Sequence, residues 1–349
     1  MMKDKKQEGG DGSSNIQAEN VNVYNGITYK DAKEIALDVF NSNFIRLKSE
    51  AAQIAAERAE EITEKIVKEL NEKSPESLEE FKNPAMQDAL FQTQKEYAKS
   101  GDEELGNLLV DILVDRAKTQ ERNMLQLVLD ESLLVAPKLT VEHFDLLTLN
   151  FLLAQTVNQR IRNLESFTIY IKKHIIPFAD DLRNERTTFN HLEYLGCGHI
   201  RVGDYGQLEE SFKRQYKAMF SKGFSLEDFE NEVGDFENSK TFIMPCLHDR
   251  SKFQMNTLSD TVLEEQMTNR NINQQDKNKL KAFFNKTTMN NNEIRKYIIS
   301  IDPKMESLFD LWNNSSLKKF ELSGVGISIA HANFRRKTGE TLDLSIWIK

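Results

Sequence analysis

Cysteine is almost missing. Cys197 and Cys246 are the only two in 349 residues, too few to staple a secreted fold. Long apolar runs are missing as well, and nothing approaches the roughly 18 residues that a membrane-crossing helix requires, so no transmembrane span is expected. Met1-Met2-Lys3-Asp4-Lys5-Lys6 runs into Gln, Glu and Gly rather than an apolar stretch. That start predicts no signal peptide, and a cytoplasmic protein is the default expectation. Catalytic signatures are equally scarce. There is no GxxxxGKS/T, HExxH, GxSxG or CxxC, and no GxGxxG after a strand. Phosphate and metal chemistry depends on those spacings, so ordinary NTPases, zincins and dinucleotide enzymes are disfavoured. No cofactor is expected. Nucleases with scattered carboxylates stay open.

The chain is 39% hydrophobic and 29% charged, which excludes wholesale disorder and a membrane bundle alike. Its net charge of −9 is unevenly spread. Residues 1–140 hold 27 Asp/Glu against 18 Lys/Arg, whereas residues 141–349 hold 28 of each. The acidity therefore belongs to the front part, and two physically different halves are expected.

The first fourteen residues are charged and rich in Gly and Ser. Asn15 to Tyr24 then alternates apolar and polar residues with a period near two, closed by Asn25-Gly26. That is a strand with no local partner, and an isolated strand is unstable. Pairing with a second subunit is the expected remedy. Thr28 is positioned to cap a helix from about Tyr29 to Lys73, whose apolar stripe runs Phe44, Leu47, Ala51, Ala55, Ala59, Ile62, Ile66 and Leu70. Its spacings of three and four residues average above a heptad's 3.5, so it should be straight or weakly right-handed in any supercoil. At this length it would span about 65 Å, which asks for a long partner. Residues 15–70 are thus the expected homo-oligomer contact.

Ser74-Pro75 ends that helix, Ser77 with Glu80 reads as a capping box, and Ser100-Gly101-Asp102-Glu103 repeats the stop and start signals. Leu105 to Leu134 is an amphipathic helix or helix pair closed by Pro137. Beyond it, Arg186 to Leu195 reads as a short helix with a Gly196 stop, followed by a strand-like His199 to Gly203. Residues 266–293 contain eight Asn and three Gln in 28 positions, and read as a polar connection or a poorly packed helix pair. Leu317 to Leu322 looks like a strand, Ser323 caps a helix to about Arg336, and Leu342 to Ile348 alternates as a last strand.

The fold class is therefore mainly α (α+β), with an N-terminal helical domain containing one long helix and a C-terminal winged-helix-like module with short strands. The expected organisation is a flexible lead and single strand over 1–28, an acidic helical domain over 29–137, and the α+β module over 138–349 with an Asn-rich insertion near 225–300.

Three constellations could carry chemistry. Cys197-Gly198-His199 and Cys246-Leu247-His248 would each present a thiolate and an imidazole on one strand face, four ligands in all for tetrahedral zinc. Cys-x-His is not a usual zinc spacing, so buried structural cysteines are the favoured reading. Arg186 and His191 share an Arg-x4-His spacing on the predicted helix. This resembles the HEPN class of helical ribonucleases, where the resemblance implies phosphate binding by the arginine and acid–base work by the histidine. Arg335-Arg336-Lys337 forms a small basic tip on which a DNA backbone could rest.

The architectural pattern is more specific. Leu192-x-x-Leu195-Gly196 running into Ile200-Arg201-Val202 resembles a recognition helix entering the first wing strand of a winged-helix domain. Phe320-Glu321-Leu322-Ser323-Gly324-Val325-Gly326 resembles the Leu-Thr-x-x-Gly closure of such domains, separated from the first part by about 115 residues. These two elements on a helical front end are similar to bacterial abortive-infection proteins of the Abi-alpha type. Gly10-Asp11-Gly12-Ser13-Ser14-Asn15-Ile16-Gln17, followed by a long helix, resembles an uncharacterised bacterial family with the same lead. Those resemblances imply a setting, phage defence or stress response, and no mechanism. Residues 303–349 hold seven Lys/Arg and five Asp/Glu, only slightly basic, so docking of a protein at this module is favoured over nucleic acid. The expected function is a non-enzymatic, self-associating interaction or sensing protein, with a HEPN-like ribonuclease or a DNA-binding regulator as the alternatives.

Overall fold

Thr28 opens the first helix with a reciprocal cap. Its backbone N–H and its hydroxyl donate to Asp31 Oδ2 (3.1 and 2.7 Å), and its hydroxyl oxygen accepts from the Asp31 N–H (3.3 Å). The computed structural model describes residues 26–43, 49–180, 182, 186–203, 206–236 and 238–349. The strand expected over Asn15–Tyr24, and the intersubunit pairing expected of it, lie outside these residues.

The stretch to Lys73 is two helices rather than one, α1 (Tyr29–Asn43) and α2 (Ser49–Lys73), packed on each other. Lys33 pairs with Glu60 (3.3 Å) and Glu64 (2.6 Å) across that contact. The physical reason is burial. Ala32, Ala36, Ile62 and Ile66 are fully buried in this arrangement, whereas a lone extended helix would leave its apolar stripe in water. Ser77 and Glu80 do not cap a helix either. They lie in a 3-10 turn, Pro75–Lys82, because Leu78 and Phe81 must both face the core at a spacing of three. The next helix, α3 (Pro84–Ser100), starts instead at Asn83, whose Oδ1 accepts from the Ala85 N–H (3.0 Å). Gln94 of α3 donates to Ala36 O and Thr63 Oγ1, locking α1 against α2.

The Gly101-Asp102 signal is realised as expected. Gly101 ends α3 in the left-handed region (φ +60°), and Asp102 accepts from the N–H groups of Glu104 and Leu105 to open α4 (Glu103–Lys118). Asn123 caps α5 (Met124–Val135), making the Leu105–Leu134 stretch a pair. Then come α6 (Val141–Asn150), which passes into a π-helical turn at Phe151–Gln155, and α7 (Leu164–Tyr170), which passes into a second at Ile171–Ile175. Phe167 of α7 is fully buried, its ring meeting those of Phe212, Tyr216, Phe220 and Tyr297 at 5.5–6.3 Å between centroids.

α8 (Arg186–Tyr194) stops at Gly196 and leads into β1 (Gly198–Ile200). Residues 201–319 then leave the ladder. They contribute α9 (Leu208–Tyr216), α10 (Leu226–Glu232), the antiparallel strands β2 (Ile243–Pro245) and β3 (Phe253–Met255), and α11 (Asp260–Asn269), α12 (Gln274–Lys286), α13 (Asn291–Ile301) and α14 (Met305–Asn314). Part of this excursion has its own apolar cluster, built on Phe224, Phe229, Phe242, Leu280 and Phe283. The Asn-rich stretch is therefore helical and packed. Its asparagines act partly as caps, Asn273 accepting from the Asp276 N–H and Asn290 from the Glu293 N–H.

β4 (Phe320–Leu322) returns to pair antiparallel with β1, Gly198 opposite Leu322, His199 opposite Glu321 and Ile200 opposite Phe320. α15 (Gly324–Thr338) follows. Ser323 accepts from the Gly326 N–H (3.2 Å) and donates to Gly196 O (2.5 Å), so one hydroxyl caps α15 and anchors the end of α8. This α8–β1–β4–α15 unit is the winged-helix-like module, on an otherwise mainly helical fold. The final alternating segment is not a strand. Leu344–Ile346 is a 3-10 turn, and Leu344 and Ile348 are the buried pair, four residues apart as on a helical face. α15 packs against α4, α5 and α6, and the main apolar core draws on residues as far apart as Ile27 and Ile348. No helix among the described residues is long and apolar enough to cross a membrane.

Candidate functional site

The residues singled out from the sequence fall in separate places. His191 is on the exposed face of α8, where its Nε2–H donates to Lys138 O (3.0 Å), and its ring lies 5.3 Å from that of His143. Burial, with the neighbouring His191, pushes the His143 pKa down. Arg186 is exposed one turn and a half earlier. Cys197 is fully buried beside β1, and burial alone pushes its thiol up to about 12. His199 is exposed on β1, facing Glu321 (3.4 Å). Cys246 and His248 follow β2 in the other sheet, and His248 Nε2–H donates to Met219 O (2.8 Å) with Tyr297 edge-on at 4.9 Å. The two Cys-x-His pairs thus sit in different ladders, and no group of three or more His, Cys, Asp or Glu among the described residues could hold a metal ion.

The basic tip is a correction. Arg335, Arg336 and Lys337 are not a free patch, because acidic side chains of α4 hold the two arginines and Asp145 of α6 holds the lysine. Arg335 is 9% exposed. It donates to Asp111 Oδ1 (2.9 Å), Asp115 Oδ1 (2.8 Å) and Asp111 O (2.7 Å). Arg336 pairs with Glu104 and bonds Asn333. Lys337 donates to Asp145 (2.8 Å) and to Pro177 O (3.1 Å), over the Phe178 ring. Part of the front half's acidity is spent on this seam, and those cations have little left for a phosphate backbone.

Two neighbouring pockets form, the first beside the β1–β4 ladder, and as two lobes they share Gln155 and Trp347 in their linings. The first encloses about 570 Å³. Its floor is Phe320 and Leu322 of β4, its inner wall Trp312 and Trp347, and its rim Arg201, Arg214, Lys318 and Lys319 with Glu210 and Glu321. Both carboxylates are engaged. Glu321 pairs with Arg201 and His199, and Glu210 accepts from the Gln207 N–H as the cap of α9. Lys318 donates to Asn313 O (2.8 Å). Arg214 and Lys319 have no carboxylate partner among the described residues. Trp312 is 3% exposed and its indole N–H has no acceptor among the described residues. A buried donor left open in this way calls for an explanation, and a ligand oxygen would supply one.

The second lobe encloses about 590 Å³ between the two π-helical turns, with Leu152, Val157, Tyr170, Phe334, Leu342 and Ile346 as its apolar wall. Extra residues at such turns re-aim side chains, and they recur at functional sites. Here the first turn ends at Gln155 and the second carries His174. His174 Nε2 lies 2.9 Å from Glu340 Oε1, and its ring is held edge-on by Tyr170 (5.7 Å) and Phe334 (5.5 Å). Burial raises Tyr170 well above the ordinary phenol range, so it stays protonated. Trp347 stands between the lobes, edge-on to Phe151 at 4.9 Å, with its indole N–H donating to Gln155 O (3.4 Å). Both volumes lie in the range of small-molecule sites.

Sequence reasoning missed Gln155, His174, Arg214, Trp312, Lys319, Glu340 and Trp347. One signal was available, since Trp312 and Trp347 are the only two tryptophans in the chain and both line the groove. No curated protein and no solved structure matches the chain. A protein-family model matches residues 26–348, starting past the Gly10–Gln17 lead. Over those residues the chain belongs to this family, which is an uncharacterised one.

Proposed function

We propose that this is a non-enzymatic interaction and sensing protein, and that the groove beside the β1–β4 ladder is where it receives its signal. One observation carries the reading. Both tryptophans of the chain and four cationic side chains from three segments converge on one preformed lobe, where Arg214 and Lys319 meet no carboxylate among the described residues. Such a lobe suits a small anionic ligand with an apolar or planar part. Self-association through residues 15–70 belongs to the same proposal. Its support is the half-exposed Ile54 one turn from the exposed Ala51 on α2, an apolar edge suited to a second helix. The setting in phage defence or stress response rests on the sequence resemblance alone.

Because both tryptophans line the groove, indole emission of the intact chain reports on it directly. Titration with inorganic phosphate, tripolyphosphate, citrate and nucleotides is expected to give a saturable change with at least one of them. Arg214→Glu combined with Lys319→Glu should abolish that change while leaving the melting temperature nearly untouched. A flat response to every anion would overturn the reading. For the oligomer, light scattering should show more than one copy in the intact chain and a smaller species without residues 1–25, a truncation that leaves the Thr28 cap in place.

A further inference from the structure

We propose that the two-lobed groove is a nucleoside-phosphate site, with the phosphates on Arg214, Lys318 and Lys319 and the base at the Gln155–Trp347 wall. This rests on the ligand-sensing reading above and narrows it to a chemical class. Three features of the groove point that way together. Arg201, Arg214, Lys318 and Lys319 gather at the rim of the first lobe, whereas the second has Arg160 and His174 beside a largely apolar wall, so a ligand charged at one end and flat or apolar at the other fits the pair. Trp347 and Gln155 belong to both lobes, and therefore stand where those two ends of one molecule would join. Trp347 is braced by Phe151 and by its bond to Gln155 O, so its ring is already positioned and loses little freedom when a base stacks on it.

The polar groups match the same class. Among the described residues the Gln155 side-chain amide has no hydrogen-bond partner. A primary amide offers one donor and one acceptor side by side, the pattern complementary to the N6/N7 edge of adenine. The buried Trp312 N–H, without an acceptor among the described residues, is a second unmet group, and a ribose or phosphate oxygen in the first lobe would meet it. An inorganic anion would satisfy the cations and leave Gln155, Trp347 and the second lobe unused. A nucleoside would do the converse.

Indole emission of the full chain, corrected for ligand absorbance, tests this with ATP, tripolyphosphate, adenosine, GTP and single-stranded oligo(dA) of increasing length. ATP is expected to bind at least about tenfold more tightly than either tripolyphosphate or adenosine. Gln155→Ala should remove most of the preference for ATP over GTP and leave tripolyphosphate binding unchanged. The Arg214→Glu, Lys319→Glu pair should lose both phosphate ligands. The wild-type comparison stands even where a variant fails to fold. Tripolyphosphate binding as tightly as ATP would overturn the nucleoside assignment and leave the anion-sensing reading intact. Affinity for oligo(dA) that exceeds ATP, grows with length and falls steeply with salt would replace it with a nucleic-acid strand. No response to any of the five ligands would overturn the nucleoside-phosphate assignment, and silence toward phosphate and citrate as well would remove the anion-sensing reading.

Discussion

Arg335→Ala is expected to lower the stability of the chain by about 3 kcal/mol at neutral pH, read as a shift in the urea unfolding transition. The Arg335 guanidinium is the partner of two carboxylates at once. Asp111 and Asp115 retain only 16% and 17% of their side-chain exposure, and Arg335 is the cation between them. Truncating it leaves two like charges facing each other in a poorly hydrated seam, which is more damaging than deleting the whole cluster would be. Some water still reaches the site, so the lower end of the range for broken buried pairs applies. Arg335→Lys keeps the charge but not the fork that spans both aspartates, and should fall between the two.

The pH dependence follows from the same groups. Burial raises the Asp111 pKa, with Arg335 opposing that rise and Asp115 adding to it. Between the unfolded carboxylate value, about 3.9, and the raised folded one, the folded chain binds more protons than the unfolded chain. Acidification in that window therefore relieves the cost of burying Asp111. In the alanine variant the opposing arginine is gone, the folded value rises further and the relief is larger. His331 acts in the same direction. Burial lowers its pKa, so the wild type loses stability as the pH falls below the ordinary histidine value, and Arg335 is one of the groups that keep it low. Without Arg335, His331 takes a proton more readily beside Asp115. The gap between variant and wild type should accordingly shrink from pH 7 to pH 5. A gap that stays constant over that interval would refute this account of the seam.

That seam also shows where sequence reading stops. Local signals were legible because their physics is local. The Thr28–Asp31 cap, the Gly101-Asp102 stop and start, and the Ser323 cap each involve residues two to four apart, and all are present. The strands at 198–200 and 320–322 were legible through their helix junctions, but their pairing with each other spans more than a hundred residues and had no local signal. The pairing of Arg335-Arg336-Lys337 was not legible either. Its carboxylate partners come from positions 104, 111, 115 and 145, and composition says nothing about which distant helix will cover a charge. The break between α1 and α2 was hidden for a related reason. A three–four apolar spacing continues through both arms, and what folds one back is tertiary, through Gln94 and the Lys33 pairs. The groove is the extreme case. Gln155, Arg214, Trp312, Lys319 and Trp347 come from four excursions of the chain, with no spacing in common for a motif to express.

Gly326→Ala separates local from tertiary physics by sign. Gly326 sits in the first turn of α15, where intrinsic helix propensity favours alanine by up to about 1 kcal/mol. The tertiary contact argues the other way. A Cβ at this position would lie 2.0 Å from Cys197 O and 3.0 Å from its carbonyl carbon. Backbone cannot rotate out of the way as a side chain could, and here it is pinned twice. Cys197 O accepts from the Ser323 N–H (3.0 Å), and the Cys197 N–H donates to Leu192 O (2.9 Å). The expected outcome is a loss of about 3 kcal/mol, at the upper end for overpacking, because α15 and the α8–β1 corner must separate. Gly324→Ala, two residues earlier, is the control. Its Cβ would meet only the Val128 side chain, at 2.9 Å, which can shift to make room, so the change should stay within about 1 kcal/mol. A second readout follows the corner itself. Cys197 is fully buried, and its thiol is held protonated by that burial. It should resist a thiol reagent at neutral pH in the wild type and in Gly324→Ala, and react in Gly326→Ala as the corner opens. Since β4 supplies Phe320 and Leu322 to the groove floor, the same opening should shift indole emission before global unfolding begins. A stabilised Gly326→Ala chain with an unreactive Cys197 would mean that α15 does not seat on the β1–β4 ladder this way.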